Sequence, residues 1–264
     1  MNGFASLTLR RGRTGPLLPA ASLCLALMLL APGPARAEPA RSPCVALTEG
    51  ANRYAVCEVD LRRYRLQFFW RGPNGEPYGD LGTLARALDA SGRPPVFATN
   101  GGMYKPDLTP VGLYVQDGRE LVRANTLNGP GNFHLKPNGV FFVQGERAGV
   151  VDTERYLKER PRADFATQSG PMLVIKGRLH PKISEHGVSR KIRNGVGLRN
   201  PHTVVFAISD GPVTFGEFAH LFRDRLGCAD ALYLDGSISG LYAPALGRTD
   251  GILPLGPMIA AFRR

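Results

Sequence analysis

The sequence predicts an α+β fold, a single domain on a mixed β-sheet core with about ten strands and two or three helices. Three observations carry that expectation. Short β-rich runs recur between turns, and 32 Gly with 22 Pro make up about a fifth of the 264 residues, without the period of three that collagen needs. One helix is clearly signalled: Thr214 and Glu217 form a capping box, Phe215, Phe218, Ala219, Phe222 and Leu226 share one face, and Gly227 stops it. No internal repeat or change of composition divides the chain, whose length suits one domain with a real core.

The elements follow in order. Residues 38–43 read as a linker, then Tyr54 to Asp60 and Arg65 to Trp70 read as strands separated by a charged turn at Arg62-Arg63. Leu81, Leu84, Ala85 and Leu88 recur at helical spacing and stop before Ser91-Gly92-Arg93-Pro94-Pro95. Pro95 to Thr99 is a short strand. Hairpins follow, 112–115 with 120–122 through Asp117-Gly118, and 139–143 with 149–151 through Gly145-Glu146. Thr153 to Glu159 is expected as a short helix. Pro171 to Ile175 turns at Lys176-Gly177. Thr203 to Ser209, Ala231 to Leu234 and Met258 to Phe262 are apolar enough to be buried strands.

Residues 1–37 read as a secretory signal peptide, which leaves 38–264 as the mature domain. Arg10, Arg11 and Arg13 precede an apolar stretch from Leu17 to Ala31, and Ala35-Arg36-Ala37 fits a small-x-small cleavage site before Glu38. Fifteen residues, interrupted by Pro19 and Ser22, fall short of the roughly 20 that span a bilayer, so no stable membrane anchor is expected after cleavage, and the mature protein is expected to be periplasmic or secreted.

The charge of +11 invites a nucleic-acid reading. Four of the cations lie in the signal segment, which carries no acid, so the mature charge is +7. Of the 33 basic residues 27 are Arg, dispersed with no block of five, and no recognition motif accompanies them; no nucleic-acid partner is expected. After cleavage Cys44, Cys57 and Cys228 remain, with no Cys-x-x-Cys or His-x-x-x-His spacing for a metal. In an oxidising compartment Cys44–Cys57 is the economical disulfide, leaving Cys228 a buried thiol; Cys57–Cys228 is the rival pairing.

The candidate chemistry gathers where strands end in polar, Gly-rich segments. These are Thr99-Asn100-Gly101-Gly102-Met103-Tyr104, Gln168-Ser169-Gly170-Pro171, Ser209-Asp210-Gly211-Pro212 and Leu234-Asp235-Gly236-Ser237-Ile238-Ser239. Between them lie Asn132 to Gly139 and Ser189 to Gly195. Any one of them reads equally as a tight turn. As a set, on the ends of buried strands, they can hold side chains rigidly around one cleft.

Thr99-Asn-Gly-Gly-Met-Tyr, Ser169-Gly-Pro-Met-Leu, Arg193-Asn-Gly-Val-Gly, Ile208-Ser-Asp-Gly-Pro and Leu232-Tyr-Leu-Asp-Gly-Ser-Ile-Ser resemble, in order over roughly residues 95–262, the phosphodiester glycosidase domain. The likeness is to its exported bacterial members, since Ser237 stands where the lysosomal branch has the second Gly of an Asp-Gly-Gly-x-Ser motif. The resemblance implies an exported hydrolase that cleaves a glycosyl-1-phosphodiester into sugar and phosphate monoester, in envelope or exopolysaccharide metabolism. The competing expectation is a non-catalytic envelope protein that binds a phosphorylated or acidic glycan in the same cleft.

That reaction builds positive charge on the sugar and negative charge on the departing phosphate. A carboxylate stabilises the first or attacks it, which makes Asp235 the first catalytic candidate and Asp210 the second. The leaving phosphate monoester, with a second pKa of about 6, has less need of a proton than an alcohol has. Cationic donors matter more, so Arg193 is expected to grip phosphate bidentately, with His134 and Lys136 beside it. Asn100 and the amides of Gly101 and Gly102 could donate to substrate oxygens, with Gln168, Ser169 and Ser239 as further contacts. His134 also reads as a turn cap, Lys136 as a solvated cation and Arg193 as one of several cations in a solvated loop. Asp and Asn are numerous enough to permit Ca²⁺ or Mg²⁺, but no motif fixes either; no metal site is assigned and no cofactor is required.

Overall fold

The computed structural model describes residues 42–264 apart from Ser237 and Ile252. The expected signal peptide, residues 1–37, lies outside the described residues.

Strands β1 (Cys44–Glu49) and β2 (Asn52–Asp60) form a hairpin joined by the Cys44–Cys57 disulfide, and β3 (Tyr64–Phe69) follows. Helix α1 (Leu81–Ala90) starts at Asp80, whose carboxylate accepts the Thr83 amide at 2.7 Å, and buries Leu81, Leu84, Ala85 and Leu88. Then come β4 (Phe97–Asn100), β5 (Tyr114–Gln116), β6 (Arg119–Val122), β7 (Gly139–Gln144) and β8 (Arg147–Asp152). Helix α2 (Thr153–Glu159), capped by Asp152, leads into β9 (Phe165–Ser169), β10 (Met172–Ile175) and β11 (Arg178–Leu179). Strands β12 (Asn194–Asn200) and β13 (Thr203–Ser209) form the next hairpin. Helix α3 (Phe215–His220) carries the expected capping box and widens into a π-type turn over Leu221–Arg225. Strands β14 (Asp230–Asp235), β15 (Leu241–Ala243), β16 (Arg248–Thr249) and β17 (Met258–Arg263) complete the chain.

The fold is α+β; the described residues form three helices and 17 strands in three sheets, ordered β1-β2-β13-β12-β14-β10-β11, β16-β15-β4-β17-β3 and β6-β5-β9-β7-β8. The pairings between the named strands are all antiparallel, where the sequence suggests a mixed sheet. The helices do not serve as crossovers between parallel neighbours; they cover sheet faces instead. Buried aromatics join the three sheets. Phe68 lies 5.5 Å from Phe165 and 5.8 Å from Phe141, and Phe206 lies 5.5 Å from Phe97.

Among the strands beyond the expected ten, β11, β15 and β16 are only two or three residues long. The strand β12 begins Asn-Gly-Val-Gly, yet it runs through the middle of the seven-stranded sheet. Its glycines let α3 approach: a β-carbon on Gly197 would stand 2.7 Å from Phe222 and 2.8 Å from the Cys228 sulfur. Gly197→Val is therefore expected to destabilise the fold by about 1–3 kcal/mol, measured as a lowered denaturation midpoint, because both neighbours are packed.

Candidate active site

Antiparallel pairing places the start of β12 opposite the end of β14, with Asn194 in register with Asp235. The register slips between Asn194 and Gly195, so Leu234 forms a bulge, and the Ser169 hydroxyl donates to the Leu234 carbonyl at 2.7 Å. The end of β4 brings Asn100 to the same place.

There Asn100 and Asn194 form a buried amide pair. Asn194 Nδ2 donates to Asn100 Oδ1 at 2.9 Å, and Asn194 Oδ1 accepts the Asp235 amide at 2.9 Å. Asn100 Oδ1 also accepts the Gly240 amide at 2.9 Å, and the Ser239 hydroxyl lies 3.3 Å from Asn194 Oδ1. These bonds fix both ends of the 235–240 turn from beneath, so the Asp235 backbone is rigidly held.

The Asp235 carboxylate accepts the Gly236 amide at 2.6 Å and has no ion-pair partner among the described residues. Burial raises its pKa to about 6, with only the Gly236 amide opposing. The Tyr104 hydroxyl donates to the Pro254 carbonyl at 2.7 Å; burial chiefly, and the Asp235 charge as well, keep it protonated. Tyr104 and Tyr233 thus both lie within the field of Asp235.

Arg193 is buried, at 1% exposure, with its guanidinium carbon 3.7 Å from the centre of the Phe215 ring. Nε donates to the Val213 carbonyl and Nη2 to the Ser189 carbonyl, each at 2.9 Å. Nη1 is buried without a hydrogen-bond partner. The bidentate grip suggested by the sequence therefore reduces to one unpaired nitrogen. Tyr233 feels both charges: burial raises its pKa, Arg193 opposes that rise and Asp235 adds to it. Glycine at 236 leaves room for the Tyr233 hydroxyl, which a β-carbon there would displace.

The remaining expected contacts sit differently. The Gly101 amide donates to the Pro257 carbonyl at 2.7 Å and the Gly102 amide to Thr167 Oγ1 at 3.2 Å, so neither is free for a substrate oxygen. His134 Nδ1 lies 3.0 Å from the Leu127 carbonyl, and Lys136 Nζ donates to the Thr126 carbonyl at 2.7 Å; both hold the 124–135 loop. Asp210 is paired with Arg248 at 2.7 Å, with Arg53 3.6 Å away.

Gln168 is buried with all four of its hydrogen-bonding positions occupied. Oε1 accepts the Leu113 and Asn125 amides at 2.9 and 2.8 Å, and Nε2 donates to the Asn125 carbonyl and Thr153 Oγ1 at 2.8 and 3.2 Å. Gln168→Leu would orphan the buried Leu113 amide and the half-buried Asn125 amide. It is expected to lower stability by about 2–4 kcal/mol by denaturant titration, with the kinetics of the surviving folded protein changed less than its stability.

Sequence reasoning missed Asn194 and Tyr233. Both adjoin residues it singled out, Arg193 and Asp235, but their polar side chains read as turn and core. Among the described residues no group of three or more His, Cys, Asp or Glu side chains is placed to hold a metal ion, and no helix is long and apolar enough to cross a membrane.

Residues 94–250, which include Asn100, Arg193, Asn194, Asp235 and Ser239, match the family described as phosphodiester glycosidase. The chain is 38% identical over 184 residues to the uncharacterised protein YigE of Escherichia coli (strain K12), an alignment covering 70% of this chain and 72% of that one. Two solved structures share the fold. The catalytic domain of zebrafish N-acetylglucosamine-1-phosphodiester alpha-N-acetylglucosaminidase, auto-inhibited by its pro-peptide, aligns at TM-score 0.58 and 15% identity over 84% of this chain and 82% of that one. A Burkholderia pseudomallei protein aligns at TM-score 0.56 and 13% identity over 80% and 74% of the respective chains.

Proposed function

The chain belongs to the phosphodiester glycosidase family, and from that premise we propose that it is an exported hydrolase that cleaves a glycosyl-1-phosphodiester into sugar and phosphate monoester. The observation that carries this reading is Asp235: a half-buried carboxyl with its pKa raised by desolvation and no cationic partner among the described residues, on a turn pinned by the Asn100–Asn194 pair.

The chemistry needs little else. As the C1–O bond breaks, positive charge grows at C1, and an ionised Asp235 either stabilises it or adds to it as a nucleophile before water releases the sugar. A phosphate monoester leaves without full protonation, so a single carboxylate can serve where an alcohol leaving group would call for a second, acidic one. This reading therefore removes Asp210 from acid–base chemistry. The phosphate would lie toward the protonated Tyr233 hydroxyl and the buried Arg193 charge behind it. No cofactor is required.

The Cys44–Cys57 disulfide supports an oxidising compartment, and with it a periplasmic or secreted protein acting on a phosphorylated glycan of the envelope or exopolysaccharide. We expect no stable membrane anchor once residues 1–37 are removed, and no nucleic-acid partner.

The test is incubation of residues 38–264 with sugar-1-phosphodiesters in ¹⁸O-labelled water. The expected result is free sugar with the label at its anomeric carbon. Label in the phosphate would mean P–O cleavage by a phosphodiesterase. Glycan binding without turnover would leave the non-catalytic envelope protein as the better account.

A further inference from the structure

Arginines that are dispersed along the sequence are gathered by the pairing of β3 with β17. Tyr64 lies in register with Arg263 and Arg65 with Phe262, and the Arg264 amide donates to the Arg63 carbonyl at 3.0 Å. Arg62, Arg63 and Arg65 thereby stand beside Arg263 and Arg264, which come late in the chain. Arg93, just past α1, joins them. Its guanidinium carbon lies 5.8 Å from the centre of the Phe262 ring, and Nη1 donates to Gln67 Oε1 at 3.2 Å. Between these elements runs a groove of about 470 Å³, walled by Arg65, Arg93, Pro94, Pro95, Phe262 and Arg263.

Among the described residues this wall carries no acid, and Asp89, on the last turn of α1, does not line it. Asp60 is taken by Arg62 at 2.8 Å, and Glu146 stands 3.8 Å from Arg264. Arg63, Arg65 and Arg93 are exposed, and none of them pairs with a carboxylate of the described residues. The groove therefore attracts anions without an internal competitor. It is also a separate site: the extended chain from Val96 to Asn100 puts about 13 Å between it and the amide pair beneath Asp235.

Shape and charge together decide what fits. A lipid surface calls for protruding apolar side chains, and none of the exposed large hydrophobic residues lines the groove. Single-stranded nucleic acid calls for open aromatic faces, and Phe262 is buried. A linear anionic glycan needs neither. Arginine forks take its acidic groups, and the exposed Pro94 ring offers an apolar surface to its C–H edges.

We propose that this groove is a second binding site, which takes a linear anionic glycan by its carboxylate, sulfate or phosphate groups and anchors the polymer away from Asp235. The kind of polymer rests on the phosphorylated-glycan reading; the site rests on the arginines.

The experiment titrates the protein with fluorescently labelled hexagalacturonate, sulfated maltohexaose and plain maltohexaose. The wild type should bind both anionic hexamers and not the neutral one, and more weakly as NaCl is raised to about 150 mM. Arg65→Ala/Arg93→Ala should weaken both about tenfold or more, and Arg65→Ala alone, which leaves the Arg93–Phe262 contact in place, about threefold. Arg119→Ala/Arg178→Ala removes the same charge from exposed positions on β6 and β11 and should change binding less than about twofold. Either anionic hexamer binding the tighter supports the site and identifies the acidic group it prefers. No binding of either, unchanged binding in Arg65→Ala/Arg93→Ala, or equal loss in the two double variants would overturn it. Tighter binding of hexathymidylate or of phosphatidylglycerol vesicles would overturn the choice of a glycan. Asp235→Asn should bind the hexamers as the wild type does, so a failure to hydrolyse any diester leaves this result standing; binding lost in that variant would mean that the titration reads the candidate active site, and would overturn the groove.

Discussion

Replacing Asp235 with asparagine is expected to lower kcat/KM on a sugar-1-phosphodiester about a thousandfold or more while leaving a folded, more stable protein. Asparagine keeps the shape of the side chain and an oxygen for the Gly236 amide, but it can neither stabilise positive charge at C1 nor bond to it. The gain in stability comes from the same burial that raises the carboxyl from 3.8 to about 6. Between those values the folded protein holds a proton that the unfolded chain has released, so wild-type stability falls as pH rises from about 4 to about 6. Above that window the full penalty persists, at most about 3 kcal/mol, and the asparagine variant is free of it. Chemical denaturation of both proteins at pH 4 and pH 8 checks this: the variant should gain relative to wild type at pH 8 and little at pH 4.

The rate should run the other way. If Asp235 works ionised, kcat/KM climbs as pH rises through about 6 and then levels off. A decline above pH 6 would instead assign the carboxyl to proton donation. Stability and activity would then trade against each other over one pH interval, through one group.

Much of this site was legible because it lies on strand ends, where buried apolar runs stop at Asn, Asp and Gly. Asn100, Asp235 and Ser239 stand out on that pattern and meet in the fold. What the pattern cannot supply is partnership across long sequence distances. Gln168 and Asn100 look alike as polar residues at a strand end. One is used up by Leu113, Asn125 and Thr153, while the other joins Asn194, 94 residues away. The same limit hid β12. Its Asn-Gly-Val-Gly opening has weak β propensity and reads as a turn, because the helix that requires glycine there comes later in the chain. Sheet direction is not legible for a related reason: an apolar run announces burial on both faces but not which neighbour it pairs with, or in which sense.

Arg193 invites the second substantial prediction, because a buried cation with one unpaired nitrogen is expensive to keep without a use. Arg193→Lys preserves the charge and is nevertheless expected to lower kcat/KM about a hundredfold. The ammonium cannot stack flat on Phe215 while bonding two carbonyls that lie along the guanidinium edge, so it would settle on one of them and lose its position behind Tyr233. A structural role alone would also lower the melting temperature, so the deciding measurement is protection by phosphate. Inorganic phosphate at 10 mM should raise the wild-type melting temperature, since a ligand that binds only the folded state stabilises it in proportion to the logarithm of its saturation ratio. The lysine variant should lose that increment, and Asp235→Asn should keep or enlarge it, because removing the carboxylate removes a charge that repels the anion. Equal protection of Arg193→Lys and wild type would show that phosphate does not depend on Arg193, and would leave the guanidinium as a strut between β12 and the segment that starts α3.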